Sequence, residues 1–327
     1  MLAQVLRPLV DLFPAADHPE VVAGLGAPDD AAVYRLGQGR VVVVTLDVFP
    51  PVVDGPEDYG AIAAANSMSD VWAMGADPVL ALNIALLPAD MPPVVVTAIL
   101  GGAAERVREA GAVIAGGHTM DQKDPVFGLA VIGLGDEDEL MIKGGLAPGQ
   151  HLVLTKPLGS GVLTTAGKRE LLPPAGLSPA IAVMRRLNQE ASRAARRHGV
   201  RCATDITGFG LAGHAMEMAK PSGVGLEIHF AALPLLPDAM TWAERGALAG
   251  GAYSNLGFHG EHLRFDDGLG EAQRMMLFDP QTSGGLLLAV DEARLEPLLA
   301  DLRSSDPEVA CIGRVVEEPG IRVLAGS

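Results

Sequence analysis

Cysteine is scarce in this chain: Cys202 and Cys311 are the only two among 327 residues, too few for a disulfide framework. Positive charge is also short. Twenty-four Lys and Arg stand against 40 Asp and Glu, a formal net charge of -16, which argues against a nucleic-acid partner because phosphate binding needs a basic surface. No uninterrupted apolar run approaches a membrane span, and the stretch from Pro78 to Pro88 is short. The first residues lack the cationic stretch and apolar core of a secretory signal. Instead Leu2, Val5, Leu6 and Leu9 fall on one face and predict a short amphipathic helix. There is no GxxxxGK[ST] loop, no GxGxxG, no HExxH, no CxxC, and no serine in a nucleophile-elbow context. With 49% apolar and 20% charged residues, global disorder is excluded. A soluble, cytoplasmic protein of about two domains is expected.

What the chain does have is aspartate in apolar surroundings. Asp29 and Asp30 precede Ala31-Ala32-Val33-Tyr34; Asp47 ends the run Val41 to Leu46; Asp70 lies within Asn66 to Gly75; and Asp205 follows far downstream. Carboxylates in such segments cost several kcal/mol unless they are paired or metal-bound. No matching set of Lys and Arg lies nearby in sequence, so divalent cations are the natural counter-charge. Oxygen-only clusters suit Mg2+ or Mn2+, which commonly share carboxylates with substrate phosphates. Metal–nucleotide chemistry is the expectation.

The organisation reads as α+β or α/β in two parts. Ala31 to Leu36 and Val41 to Leu46 predict paired strands around Gly37-Gln38-Gly39. Pro56 to Gly75 predicts a helix, with Pro at its start and Gly at its stop, that places Asn66 and Asp70 on one face. Strands are expected at 79–87, 112–115 and 126–134, and a helix at 94–110. The segment Lys143 to Gln150 is rich in Gly and loop residues and suggests a boundary. The expected domains are therefore 1–148 and 149–327. The second opens with a strand at 151–155, continues with one helix over Pro179 to His198, and follows Asp205 with a helix over Leu211 to Ala219.

Singly, the remaining motifs are ambiguous. Gly116-Gly117-His118-Thr119 could let backbone N–H groups approach an anion, or be a tight turn. Asp279 to Gly285 (DPQTSGG) reads as a strand-entry loop, Asp205 as a helix N-cap, and Asp29-Asp30 as a solvated turn. Cys202 reads as a buried structural thiol.

Taken together and in order, TLDVFPPVVDGPEDYGAIAAANSMSDVWAMGADPVLALNIALLP, AGGHTMDQKDPVFGLAVIGLG, TKPLGSGVLTTAGKRELL, ATDITGFGLAGHAMEMA and DPQTSGGLLLAV resemble selenophosphate synthetase (selenide, water dikinase). The likeness runs from about Asp29 nearly to the end. TKPLGSGVLTTA and TDITGFGLAGH are specific to that family. The Asp-Asp turn and the DPQTSGG loop are shared with the wider aminoimidazole-ribonucleotide-synthetase superfamily. The resemblance implies a two-domain α+β fold with an α/β C-terminal domain. The N-terminal domains of two subunits would form a shared β-barrel, with ATP near the homodimer interface. It further implies that Asp30, Asp70 and Asp205 hold Mg2+ on the ATP phosphates and that Asp47 and Asp70 contact the nucleotide–metal complex. Ala27, Pro28 and Asp29 would form a nucleotide turn, and Gly117, His118 and Thr119 would reach ATP in the partner subunit. The implied reaction converts selenide, ATP and water into selenophosphate, AMP and orthophosphate.

The sequence departs from the family pattern. A glycine-rich segment with a catalytic Cys or selenocysteine and a Lys would precede the first helix, and neither residue can be assigned here. If that position encodes selenocysteine, its in-frame stop codon would lead gene finding to a later start such as Met1. Pro28 stands where an Arg is common, and Leu46 stands where a Thr precedes Asp47.

Overall fold

The computed structural model describes residues 8–326. Residues 8–12 are helical; Leu2, Val5 and Leu6 of the expected amphipathic helix lie outside the described residues. Beyond this helix the chain is organised around two sheets. The first is built from β1 (Val21–Ala23), β2 (Ala32–Gly37), β3 (Arg40–Phe49), β4 (Asp77–Leu87), β5 (Val113–Asp121) and β6 (Val126–Asp136), in the order β1-β2-β3-β6-β4-β5. Its neighbours are antiparallel except for the parallel pair β4–β5. The β2–β3 hairpin turns on Gln38 and Gly39, both at positive φ (55° and 74°), the backbone that two-residue hairpin loops require.

Helix α1 (Pro56–Ala73) lies between β3 and β4 in sequence and packs on β3 and β6. Pro56 opens it, Glu57 and Asp58 complement the positive end of its dipole, and Gly75 at φ 74° follows its end. It is buried nearly all round because α2 (Pro93–Glu109) covers its other side. A Cβ on Gly60 would stand 1.8 Å from Ile99 O, and one on Gly102 would stand 2.0 Å from Glu57 O. The two helices therefore meet backbone to backbone. The opposite face of the sheet carries Tyr34, Leu36, Val44, Leu46, Val48 and Leu82 into solvent.

The second sheet comprises β7 (His151–Leu154), β8 (Cys202–Asp205), β9 (Gly225–His229), β10 (Leu263–Phe265), β11 (Leu286–Val290), β12 (Ala310–Val316) and β13 (Gly320–Leu324), ordered β10-β13-β9-β12-β7-β11-β8. It is mixed, with β10, β13 and β9 parallel and the remaining pairs antiparallel. Among its helices are α3 (Ser160–Lys168), α4 (Ser178–Arg185), α5 (Gln189–Arg197) and α6 (Gly210–Ser222).

Two expectations are corrected here. The single helix over Pro179 to His198 is two, broken where Arg186 turns extended (ψ 132°). The break lets Asn188 donate from Nδ2 to Ser69 Oγ (2.8 Å) and Gly284 O (2.9 Å). The short strand at 112–115 runs on to Asp121, so Gly116 to Thr119 are strand residues and not a tight turn.

A carboxylate cluster at the junction of the two sheets

Four aspartates arrive from different elements. Asp47 lies near the end of β3, Asp70 in the last turn of α1, Asp205 at the end of β8, and Asp30 in the segment entering β2. Asp205 is 1% exposed, and the Asp30 side chain 3%. Their charges act on one another. Burial raises the Asp30 and Asp70 carboxyls well above the usual range, and Asp205 adds to both by repulsion; Asp47 and Asp30 push Asp70 further. Burial and Asp205 lift Asp47 to about 6, against the hydrogen bond from Asn66.

Three of the four carboxylates are also held. Thr45 Oγ1 donates to Asp70 Oδ2, and Asn66 Nδ2 to Asp47 Oδ2 at 2.8 Å. Thr204 Oγ1 donates to Asp30 Oδ1 at 2.9 Å. Asp30 Oδ1 also lies 2.8 Å from Lys143 Nζ, which lies 2.8 Å from Glu217 Oε2. The sequence near the aspartates offers no matching Lys and Arg, yet Lys143, 113 positions downstream of Asp30, folds back onto the cluster as a counter-charge. Burial opposes the lysine's charge, but Asp30 and Glu217 raise it above its ordinary value. Glu217 is held down to about 2, because His214 and Lys143 outweigh its burial. No local signal marks Lys143 or Glu217, since their partners lie far off in sequence.

One lysine does not neutralise four carboxylates. Asp30 Oδ2 and Asp205 Oδ2 are buried with no hydrogen-bond partner, and bare buried oxygens of this kind suit an oxygen-seeking cation. Among the described residues, no three His, Cys, Asp or Glu groups converge to hold an ion as they stand.

The other sequence-designated residues divide. Asp29 is no solvated turn: its Oδ1 accepts from Asp30 N (2.9 Å) and its Oδ2 from Lys143 N (3.0 Å). Ala27 closes a small turn with Gly24 through paired backbone bonds of 3.1 Å, and Pro28 is exposed beside it. Gly117, His118 and Thr119 lie on the free edge strand β5, opposite Asn83, Ile84 and Ala85 of β4. Three strand spacings separate β5 from β3, about 14 Å, so they stand apart from the cluster. Asp205 is not a helix cap; Phe209 occupies that position before α6. Leu46 faces away from the cluster, 58% exposed.

The DPQTSGG loop does more than enter a strand. Asp279, wholly buried and raised by burial to about 7, accepts from Gly161 N (3.1 Å) and Val162 N (3.2 Å) at the start of α3. Gln281 Oε1 accepts from Gly159 N and Ser160 N, both at 3.1 Å. Neither cysteine belongs to the cluster as a thiolate. Burial pushes the Cys202 thiol up to about 12, in line with the structural role expected for it, and Cys311 faces His151 on the second sheet.

Residues 28–135 match the family of AIR synthase related protein, N-terminal domain, and residues 147–326 its C-terminal domain. The chain is 43% identical to a selenide, water dikinase of Carboxydothermus hydrogenoformans, over 98% of this chain and 92% of that one. It is 44% identical to a selenide, water dikinase of Caldanaerobacter subterraneus subsp. tengcongensis, over 97% and 91%. Among solved structures, AaThiL complexed with AMPPCP and TMP superposes with a TM-score of 0.70 at 20% identity, covering 96% of this chain and 92% of that one, a likeness of fold. The chain belongs to the AIR synthase related superfamily and, within it, to the selenide, water dikinase family.

Proposed function

We propose that this chain makes selenophosphate, AMP and orthophosphate from selenide, ATP and water. The observation that carries the reading is the cluster of Asp30, Asp47, Asp70 and Asp205, drawn from both sheets into one buried site with unpartnered oxygens. Family membership supplies the reaction; the cluster supplies a place for it. Asp30, Asp70 and Asp205 would hold Mg2+, whose chemistry is to neutralise the charge of the triphosphate during phosphoryl transfer. Asp47 and Asp70 would meet the nucleotide–metal complex, with Ala27, Pro28 and Asp29 lining its edge. Lys143 and Thr204 fix Asp30 Oδ1, which leaves Oδ2 as the oxygen free to bind.

The same reading covers assembly and organisation. The exposed apolar face of the first sheet and its free edge β5 suit a homodimer in which Gly117, His118 and Thr119 serve the partner's ATP. The division into domains falls near residue 148, and the protein works in the cytoplasm; no described helix is long and apolar enough to cross a membrane.

The test is AMP formation from ATP and Mg2+, with and without selenide under anaerobic reduction, for this chain and for one extended by the codons upstream of Met1. Selenide-dependent AMP supports the assignment. ATP binding without turnover in either form would move it to a nucleotide-binding regulatory protein.

A further inference from the structure

Asn66 lies one helical turn before Asp70 on α1 and is 6% exposed. Its amide has two unlike neighbours. Nδ2 donates to Asp47 Oδ2 at 2.8 Å, and Oδ1 accepts from the Ser283 backbone N at 2.8 Å. Turning the amide over would oppose donor to donor and acceptor to acceptor, so its orientation is fixed by its surroundings.

Ser283 is itself constrained. It is fully buried and sits at φ 49°, unusual for a residue with a side chain. Its carbonyl accepts from Lys156 Nζ at 3.1 Å, and the same ammonium donates to Arg186 O at 2.7 Å, in the break between α4 and α5. Asn188 Nδ2 holds Gly284 O at 2.9 Å. On its other side this turn runs along the residues after Asp205: Ile206 N donates to Gly285 O (2.8 Å) and Gln281 N to Thr207 O (3.0 Å). Little slack exists, since a Cβ on Gly284 would stand 2.1 Å from Ile206 O and one on Gly285 2.3 Å from Lys156 N. One short turn is thus bonded both to the Asp47 carboxylate, through Asn66, and to the strand exit that carries Asp205.

We propose that Asn66 is a positioning residue for nucleotide binding: through the Ser283 peptide it sets the Asp47 carboxylate relative to Asp205, occupying Oδ2 so that Oδ1 faces the ligand. This rests on the reading of Asp47 as a nucleotide–metal contact. It goes further by assigning a function to an amide whose partners are 19 and 217 positions away.

The test is a double-mutant cycle read by calorimetric titration of AMPPCP in the presence of Mn2+, using the whole chain as wild type, N66A, D47N and N66A/D47N. Residues that orient a ligand group typically change affinity by roughly 10- to 100-fold. That loss is expected for N66A, with D47N losing at least as much and the double variant no weaker than D47N within about twofold. Should N66A fold poorly, N66D serves in its place, because it keeps an acceptor for Ser283 N but repels Asp47. Wild-type affinity in the Asn66 variant overturns the proposal, as does a double variant whose loss is the product of the single losses. An unchanged D47N overturns it too, and with it the nucleotide role of Asp47, so the two failures are told apart.

Discussion

Replacing Asp47 with Asn is expected to stabilise the metal-free protein. The Asp47 carboxyl is raised from 3.8 to about 6 by burial and by Asp205, so the folded state holds its proton more tightly than the unfolded chain does. The ionised form therefore subtracts from stability above pH 6, and the subtraction fades as pH falls through 6 towards 3.8. A shift of this size corresponds to about 3 kcal/mol at pH 7.5. Partial exposure of the carboxylate reduces it to about 1–2 kcal/mol. Asn removes the charge, and its amide oxygen still accepts from Asn66. With an unfolding entropy of about 2.1 cal/mol/K per residue, the gain is a melting temperature roughly 1.5–3 °C higher for a chain of this length. The assay is thermal unfolding in EDTA, followed at low protein concentration by the fluorescence of the buried Trp72, at pH 7.5 and pH 4.5. At the lower pH the gain should shrink to about a third. A D47N protein that melts lower than wild type at pH 7.5, or that gains equally at both pH values, would refute the electrostatic account.

Binding should reverse the repulsion: AMPPCP with Mg2+ at about 100 times its Kd adds about 2.7 kcal/mol to wild type. D205N should forfeit most of that melting shift, and EDTA should erase it in wild type. K143M strips the shared cation from Asp30 and Glu217 and is expected to cost about 2–3 kcal/mol in urea unfolding at pH 7, allowing for the partial exposure of Glu217. Because Glu217 is depressed from 4.5 to about 2, its contribution is complete above 4.5 and lost as pH falls through 2, so the gap between K143M and wild type should narrow over that window. G117A forces a Cβ to 2.2 Å from Asn83 O at φ 157° and should cost about 1–3 kcal/mol. G144A, with open space around it, should stay within about 0.5 kcal/mol of wild type.

Local pattern made much of the fold legible. The hairpin around Gln38 and Gly39 and helix α1 follow from β-branched runs, turn residues, and a Pro-to-Gly frame, each set by neighbours within a few positions. The helix break at Arg186 to Asn188 was not legible, because its cause is tertiary: Asn188 bonds to Ser69 and Gly284, while Lys156 takes the Arg186 carbonyl. Gly116-Gly117 looked like a turn because glycine pairs usually are; here Gly117 lets β5 lie close against Asn83. The aspartates stood out because charge in apolar segments is anomalous wherever it occurs. Their partners did not, since Lys143 sits in a loop-like stretch and Ser283 offers only a backbone N–H.

Lys156 ties Arg186 and Ser283 together from a wholly buried position, and burial lowers its ammonium to about 7. This amine therefore gives up its proton more readily than an exposed lysine, chemically readier for acylating reagents yet sealed from them. Surface lysines such as Lys168 and Lys220 present the opposite case, open to reagent at all times. The rate at which Lys156 alone becomes labelled is therefore a clock for how often the turn beside Asp205 comes undone, and ligands that grip both halves of the cluster should slow it.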